Sequence, residues 1–142
     1  MKEVSDMSRF SAGRGVGDGV EGEAVACRQP IHFGQDFTAN GVGKNPRHEL
    51  YGKSIKDKIL VLTEPKSGSG VSGMPLLEMA ENKSAPRGLV YNVASPIMVL
   101  GAILANIPIM DQFDRSPIDA VQNGDWVIMD PKTHVLEVRK RG

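Results

Sequence analysis

The chain has 142 residues, enough for one compact domain that buries most of its apolar surface without staples. Lys plus Arg and Asp plus Glu stand at 17 each, so no net field recruits nucleic acid or an anionic membrane. The single cysteine, Cys27, excludes an intrachain disulfide and a self-contained thiolate metal site, and fits a cytoplasmic compartment.

Residues 1–19 are polar and glycine-rich and carry no apolar signal-peptide core. They are expected to form a flexible lead-in, with the folded domain over 20–142. Val20 to Cys27 alternates apolar and polar side chains, which predicts a strand. Pro30 to Leu50 is a long irregular segment of the kind that is functional or disordered, and Phe33 and Phe37 within it argue for docking against something. Tyr51-Gly52-Lys53-Ser54 leads into a second strand, Lys58 to Thr63.

Directly after the run Ile59-Leu60-Val61-Leu62 comes Ser67-Gly68-Ser69-Gly70-Val71-Ser72-Gly73. The next segment, Pro75 to Asn82, predicts a short helix with proline in its first turn. A strand that empties into a glycine–serine loop and then a helix presents hydroxyls, closely approachable backbone and unpaired N–H groups to an anion. Glycine and serine also make plain surface turns, so the loop alone leaves both readings open.

Pro86-Arg87-Gly88 breaks the helix, and Leu89 to Val93 predicts a strand. Pro96 to Ala105 predicts an apolar helix buried on most faces, and it is too short to cross a bilayer. Ile107 to Met110 predicts a buried strand, and Pro117 to Gln122 a helical turn closed by Asn123-Gly124. Trp126 to Met129 and His134 to Val138 predict a closing hairpin around Asp130-Pro131-Lys132-Thr133. This order gives an α/β domain: a mixed sheet, curled or split into two layers, covered by helices.

Candidate chemistry outside the loop is sparse. His32, His48 and His134 are too dispersed for a local metal motif. Cys27, at a strand end, suits a small buried filler. Asp36 is either a ligand-facing carboxylate or a cap of the long loop. Asp111 and Asp114 flank Phe113 after a strand end, where a carboxylate meets either a ligand or solvent.

Four blocks in order carry a resemblance. They are Gly22-Glu23-Ala24; His48 to Ile55 ahead of Lys58-Ile59-Leu60-Val61; Gly68-Ser69 leading to Leu76-Leu77-Glu78; and Ala85-Pro86 followed by Ser95-Pro96-Ile97 and Gly101 to Pro108. Together, over residues 20 to 140, they resemble the small, swivelling subunit of the aconitase X family.

The resemblance implies a swivelling β/β/α domain of the aconitase type. It implies a dehydratase subunit, inactive alone, that closes over an iron–sulfur cluster held by cysteines of a larger partner. By position Ser69 is the serine that acts as an alkoxide base, with Ser67, Gly68, Gly70, Ser72, Asp36 and His48 as candidate substrate contacts and no metal ligand. The implied substrates are small hydroxy acids, cis-3-hydroxy-L-proline first and mevalonate 5-phosphate next. Two departures stand out. Phe33-Gly34-Gln35-Asp36-Phe37 occupies the place of a common Gly-Gly-Val-Asp-Pro, and Gly70-Val71 stands where aconitases carry a second hydroxyl and an arginine, which speaks against citrate-type recognition. The alternative is a non-catalytic swivelling interaction or carrier module. Its phosphohistidine version is disfavoured, because Ser95-Pro96-Ile97-Met98-Val99 holds no histidine.

Overall fold

A computed structural model of the chain describes residues 7–65 and 73–141. Its seven strands are β1 (Met7–Val16), β2 (Val20–Cys27), β3 (Ile59–Leu62), β4 (Gly88–Val90), β5 (Ile109–Phe113), β6 (Trp126–Asp130) and β7 (Val135–Arg139). They close into a barrel in the order β1-β5-β4-β3-β2-β6-β7. β2, β3, β4 and β5 run parallel to one another, while β1, β6 and β7 pair antiparallel. A one-turn helix α1 (Phe33–Asp36) and the helices α2 (Gly73–Glu81) and α3 (Pro96–Leu104) provide the connections on the parallel side. This is a mixed α/β architecture, with the curled sheet fully closed. None of the described helices is long and apolar enough to cross a membrane.

The period-2 geometry of strands divides the apolar residues between two cores. Ile59 and Val61 of β3 point into the barrel with Phe10, Val127, Met129, Leu136 and Val138. Leu60 and Leu62 point outward, to a second core with Leu76 and Met79 of α2 and Met98 and Ala102 of α3. All four residues of β3 are buried, as a strand covered on both faces must be.

Two expectations change. The glycine-rich segment assigned to a flexible lead-in is strand from Met7 to Val16, and it closes the barrel by pairing β5 and β7. Small residues serve there because neighbouring chain passes very close: a Cβ at Gly15 would lie 2.5 Å from the Pro131 carbonyl oxygen. The second change concerns α3, which buries only one face, through Met98, Gly101 and Ala102.

A buried carboxylate locks the end of the barrel. Asp125 accepts from Lys140 Nζ at 2.6 Å, Gln122 N at 2.8 Å and Arg141 N at 3.1 Å. Burial raises its pKa, but Lys140 and the two N–H groups outweigh burial and hold it below the usual carboxylate value. A lowered folded pKa means stability that is full above the unfolded carboxyl value of about 4 and is lost as pH falls through the folded one. Denaturant titrations in acid should therefore show a shallower pH slope for Asp125→Asn than for wild type. The same slope in both would remove Asp125 from the account.

Candidate active site

The parallel run from β2 to β5 puts four carboxyl ends on one rim, the edge at which open α/β sheets take ligands. Hydrogen bonds stitch this rim together. Thr63 Oγ1 donates to the Arg28 carbonyl at 3.2 Å, and Asn92 N–H donates to the Thr63 carbonyl at 2.8 Å. Gln112 N–H donates to the Asn92 carbonyl at 2.8 Å, and Ser116 Oγ donates to Asn92 Oδ1 at 2.7 Å. The one sequence signal for Thr63 and Asn92 is position: each lies at or next to the last residue of a predicted strand, and just past the strand that forms.

The Ser67–Gly73 segment is tied to this rim at both described ends. Leu62 ends β3, which lies between β2 and β4, and the chain resumes as α2 at Gly73. Ser67, Gly68, Ser69, Gly70 and Ser72 themselves lie outside the described residues. α2 carries no acidic side chain in its first turn, so the positive end of its dipole is not offset there.

The Pro30–Leu50 segment is ordered and lies against α2. Phe33 and Phe37 dock into this chain's own helix-side core, with ring centroids 6.1 Å apart. Gly34 rests on Pro75 of α2, where an added Cβ would come within 3.1 Å of Cγ. The loop is thereby brought to the foot of the helix that follows the serine–glycine segment.

Asp36 and His48 hold this loop together. Asp36 is 1% exposed; one oxygen accepts from His32 N–H and the other from Asn45 Nδ2, both at 2.8 Å. His48 Nδ1 accepts from Leu50 N–H at 3.1 Å, which leaves the proton on Nε2 to be donated to the Pro30 carbonyl at 3.1 Å. His48 Nε2 stands 3.8 Å from Asp36 Oδ2. The structure thus brings the two residues together, with their polar atoms engaged by the loop itself. His32 caps α1, accepting from Gln35 N–H, and His134 contacts the Ala12 carbonyl on the far strand pair.

Cys27 is buried, its S–H donating to the Gln29 carbonyl, and desolvation pushes the thiol up to about 12. Among the described residues no three His, Cys, Asp or Glu side chains are placed to share a metal ion.

Asp111 lies within β5, 1% exposed, rather than in a solvated loop. It takes a two-pronged hydrogen bond from Arg14, at 2.8 and 2.7 Å, and a third from Ala94 N–H at 2.8 Å. Ser95, the next residue, caps α3 by accepting from Met98 N–H. No local pattern pointed to this cluster, because its partners come from opposite ends of the chain.

The comparisons with known proteins agree with the geometry. Residues 10–138 match the family model described as the aconitase X swivel domain. The phosphomevalonate dehydratase small subunit of Methanosarcina mazei is 33% identical over 132 residues, covering 92% of this chain and 91% of that protein. The protein of the same name from Pyrococcus abyssi is 32% identical over 128 residues, covering 89% and 95%. The crystal structure of Thermococcus kodakaraensis aconitase X in its holo-form superposes with a TM-score of 0.85 at 27% identity, covering 94% of this chain and 99% of that one. A solved rim, a closed barrel and near full-length similarity converge, and the chain belongs to the aconitase X swivel-domain family.

Proposed function

We propose that this chain is the small subunit of an aconitase X-type hydro-lyase and that it presents Ser69 as the base to a substrate held by a larger, iron–sulfur-bearing subunit. The observation that carries the reading is the tether: the serine–glycine segment joins the carboxyl end of β3 to the start of α2. Unpaired N–H groups at such a helix start stabilise a developing alkoxide without adding fixed charge. The alkoxide takes the proton from the carbon next to the substrate carboxylate, that electron pair forms the carbon–carbon double bond, and the hydroxyl on the adjoining carbon departs as hydroxide, which becomes water with the proton the serine gave up on forming the alkoxide. In this reading the group that draws off the hydroxyl belongs to the larger subunit, as the family resemblance implies.

Asp36 and His48 act in this reading by shaping the loop beside α2. The substrate follows the relatives: their common name favours mevalonate 5-phosphate, ahead of the cis-3-hydroxy-L-proline placed first on sequence. Both compounds offer a hydrogen next to a carboxylate and a hydroxyl one carbon further, so the same base serves either.

The test is reconstitution. The chain co-produced with its larger subunit is incubated with each compound, and loss of one water is read by mass spectrometry. Mevalonate 5-phosphate should be dehydrated by the complex and by neither subunit alone. Turnover of the proline compound instead would reassign the substrate. An assembled, cluster-loaded complex that dehydrates neither would overturn the reading.

A further inference from the structure

We infer that the larger subunit docks along the outer face of α3. The inference rests on the reading above that such a subunit exists. α3 is nine residues of Pro-Ile-Met-Val-Leu-Gly-Ala-Ile-Leu. Its inward positions are filled by Met98, Gly101 and Ala102. Its outward positions are aliphatic too: Ile97 is 43% exposed, Leu100 56%, Ile103 51% and Leu104 56%. Val93, just ahead of the helix, is also exposed. A surface helix ordinarily turns charge to water. Here no charged residue occurs anywhere from Gly88 to Met110.

Area and position name the occupant. The five side chains leave roughly 500 Å² of apolar surface bare, near the top of the range for the largest patch on a monomer and over half of the ~800 Å² that a stable interface covers on each side. The patch also starts at the active-site rim. Val93 follows Asn92, whose N–H is bonded to the Thr63 carbonyl at the root of the serine–glycine segment. A partner that carries substrate to this rim meets Val93 and Ile97 first, and α3 leads the contact away from the site. Glu78 and Glu81 are exposed on the neighbouring α2, and Lys83 lines a cleft with Ala105 and Asn106 just past the end of α3. The fitting partner surface is therefore aliphatic.

The experiment is co-purification with an affinity-tagged larger subunit. Leu100→Glu should weaken the complex at least ~100-fold, because docking would then strand a carboxylate in an apolar interface. Leu104→Gln, a milder change at an equally exposed position, should weaken it about tenfold. Circular dichroism and thermal melting confirm that both variants fold, as exposed helix positions allow. Trp126→Gln, on β6 of the barrel, should leave the complex intact. Wild-type affinity for both α3 variants would overturn the inference and leave the proposed function standing. A wild-type chain that never captures the larger subunit would overturn the proposed function itself. A chain that dimerises alone through this face, with Leu100→Glu monomeric and the two-subunit complex undisturbed, would also overturn the inference and leave the proposed function standing.

Discussion

Replacing Ser69 with alanine should lower turnover of the two-subunit enzyme by about 10³-fold or more while the complex still assembles. In the proposed reaction the proton to be removed sits on carbon next to a carboxylate, so it is weakly acidic and needs an oxyanion base. Alanine leaves no oxygen at that place. The hydroxyl becomes a usable base only where donors hold its charge, and in the proposed arrangement these come from the N-terminal turn of α2, which carries no acidic side chain. Ser69→Thr keeps the oxygen and should keep part of the activity. Ser67→Ala and Ser72→Ala should cost about tenfold or less, as the loss of a single positioning hydrogen bond does. The pattern across the three serines decides the assignment. A Ser69→Ala complex at wild-type rate, or a larger loss at Ser67 or Ser72, would move the base elsewhere.

The strand and the helix on either side of the serine–glycine segment were legible because their signals are local, an apolar run before it and a proline-started apolar stretch after it, while the segment itself lies outside the described residues. β2, β3, β4, α2, α3 and the closing hairpin were legible for the same reason. β1 was not. Its sequence, Met-Ser-Arg-Phe-Ser-Ala-Gly-Arg-Gly-Val, carries little strand propensity, and its strand character comes from pairing with β5 and β7 at the far end of the chain. Closure of the barrel was hidden with it. α3 misled in the opposite way. Apolar residues all around a helix signal burial within one chain, and here half of them face outward. Asp36 and His48 could be named from sequence, but which way they face depends on the Pro30 carbonyl and the N–H groups of His32 and Leu50. Those bonds exist only once the loop has folded.

Asp111→Ala should be the most damaging substitution for stability among the described residues outside the two cores, at about 3 kcal/mol by equilibrium denaturation. Asp111 is 1% exposed and accepts three hydrogen bonds. Its hydrogen bonds to Arg14 raise the pKa of that guanidinium above the ordinary value. Alanine would leave the Ala94 N–H without its acceptor and Arg14 with the Ala94 carbonyl alone, at 3.2 Å. The Arg14 side chain is 36% exposed, so water offsets part of its loss and keeps the cost at the lower end of the range for broken buried pairs. Asp111→Asn retains one acceptor but turns an amide donor toward a donor, and should fall between wild type and alanine. The damage should also be local. Arg14 pairs directly across from Asp111 in the β1–β5 register, and this seam closes the barrel. Ala94, held by the same carboxylate, precedes the residue that caps α3. Hydrogen exchange in the Asp111→Ala variant should therefore quicken in β1, β5 and the first turn of α3 before it quickens in the β6–β7 hairpin. Uniform quickening across the barrel, or stability within about 0.5 kcal/mol of wild type, would show that the seam is held by its backbone ladder and not by this carboxylate.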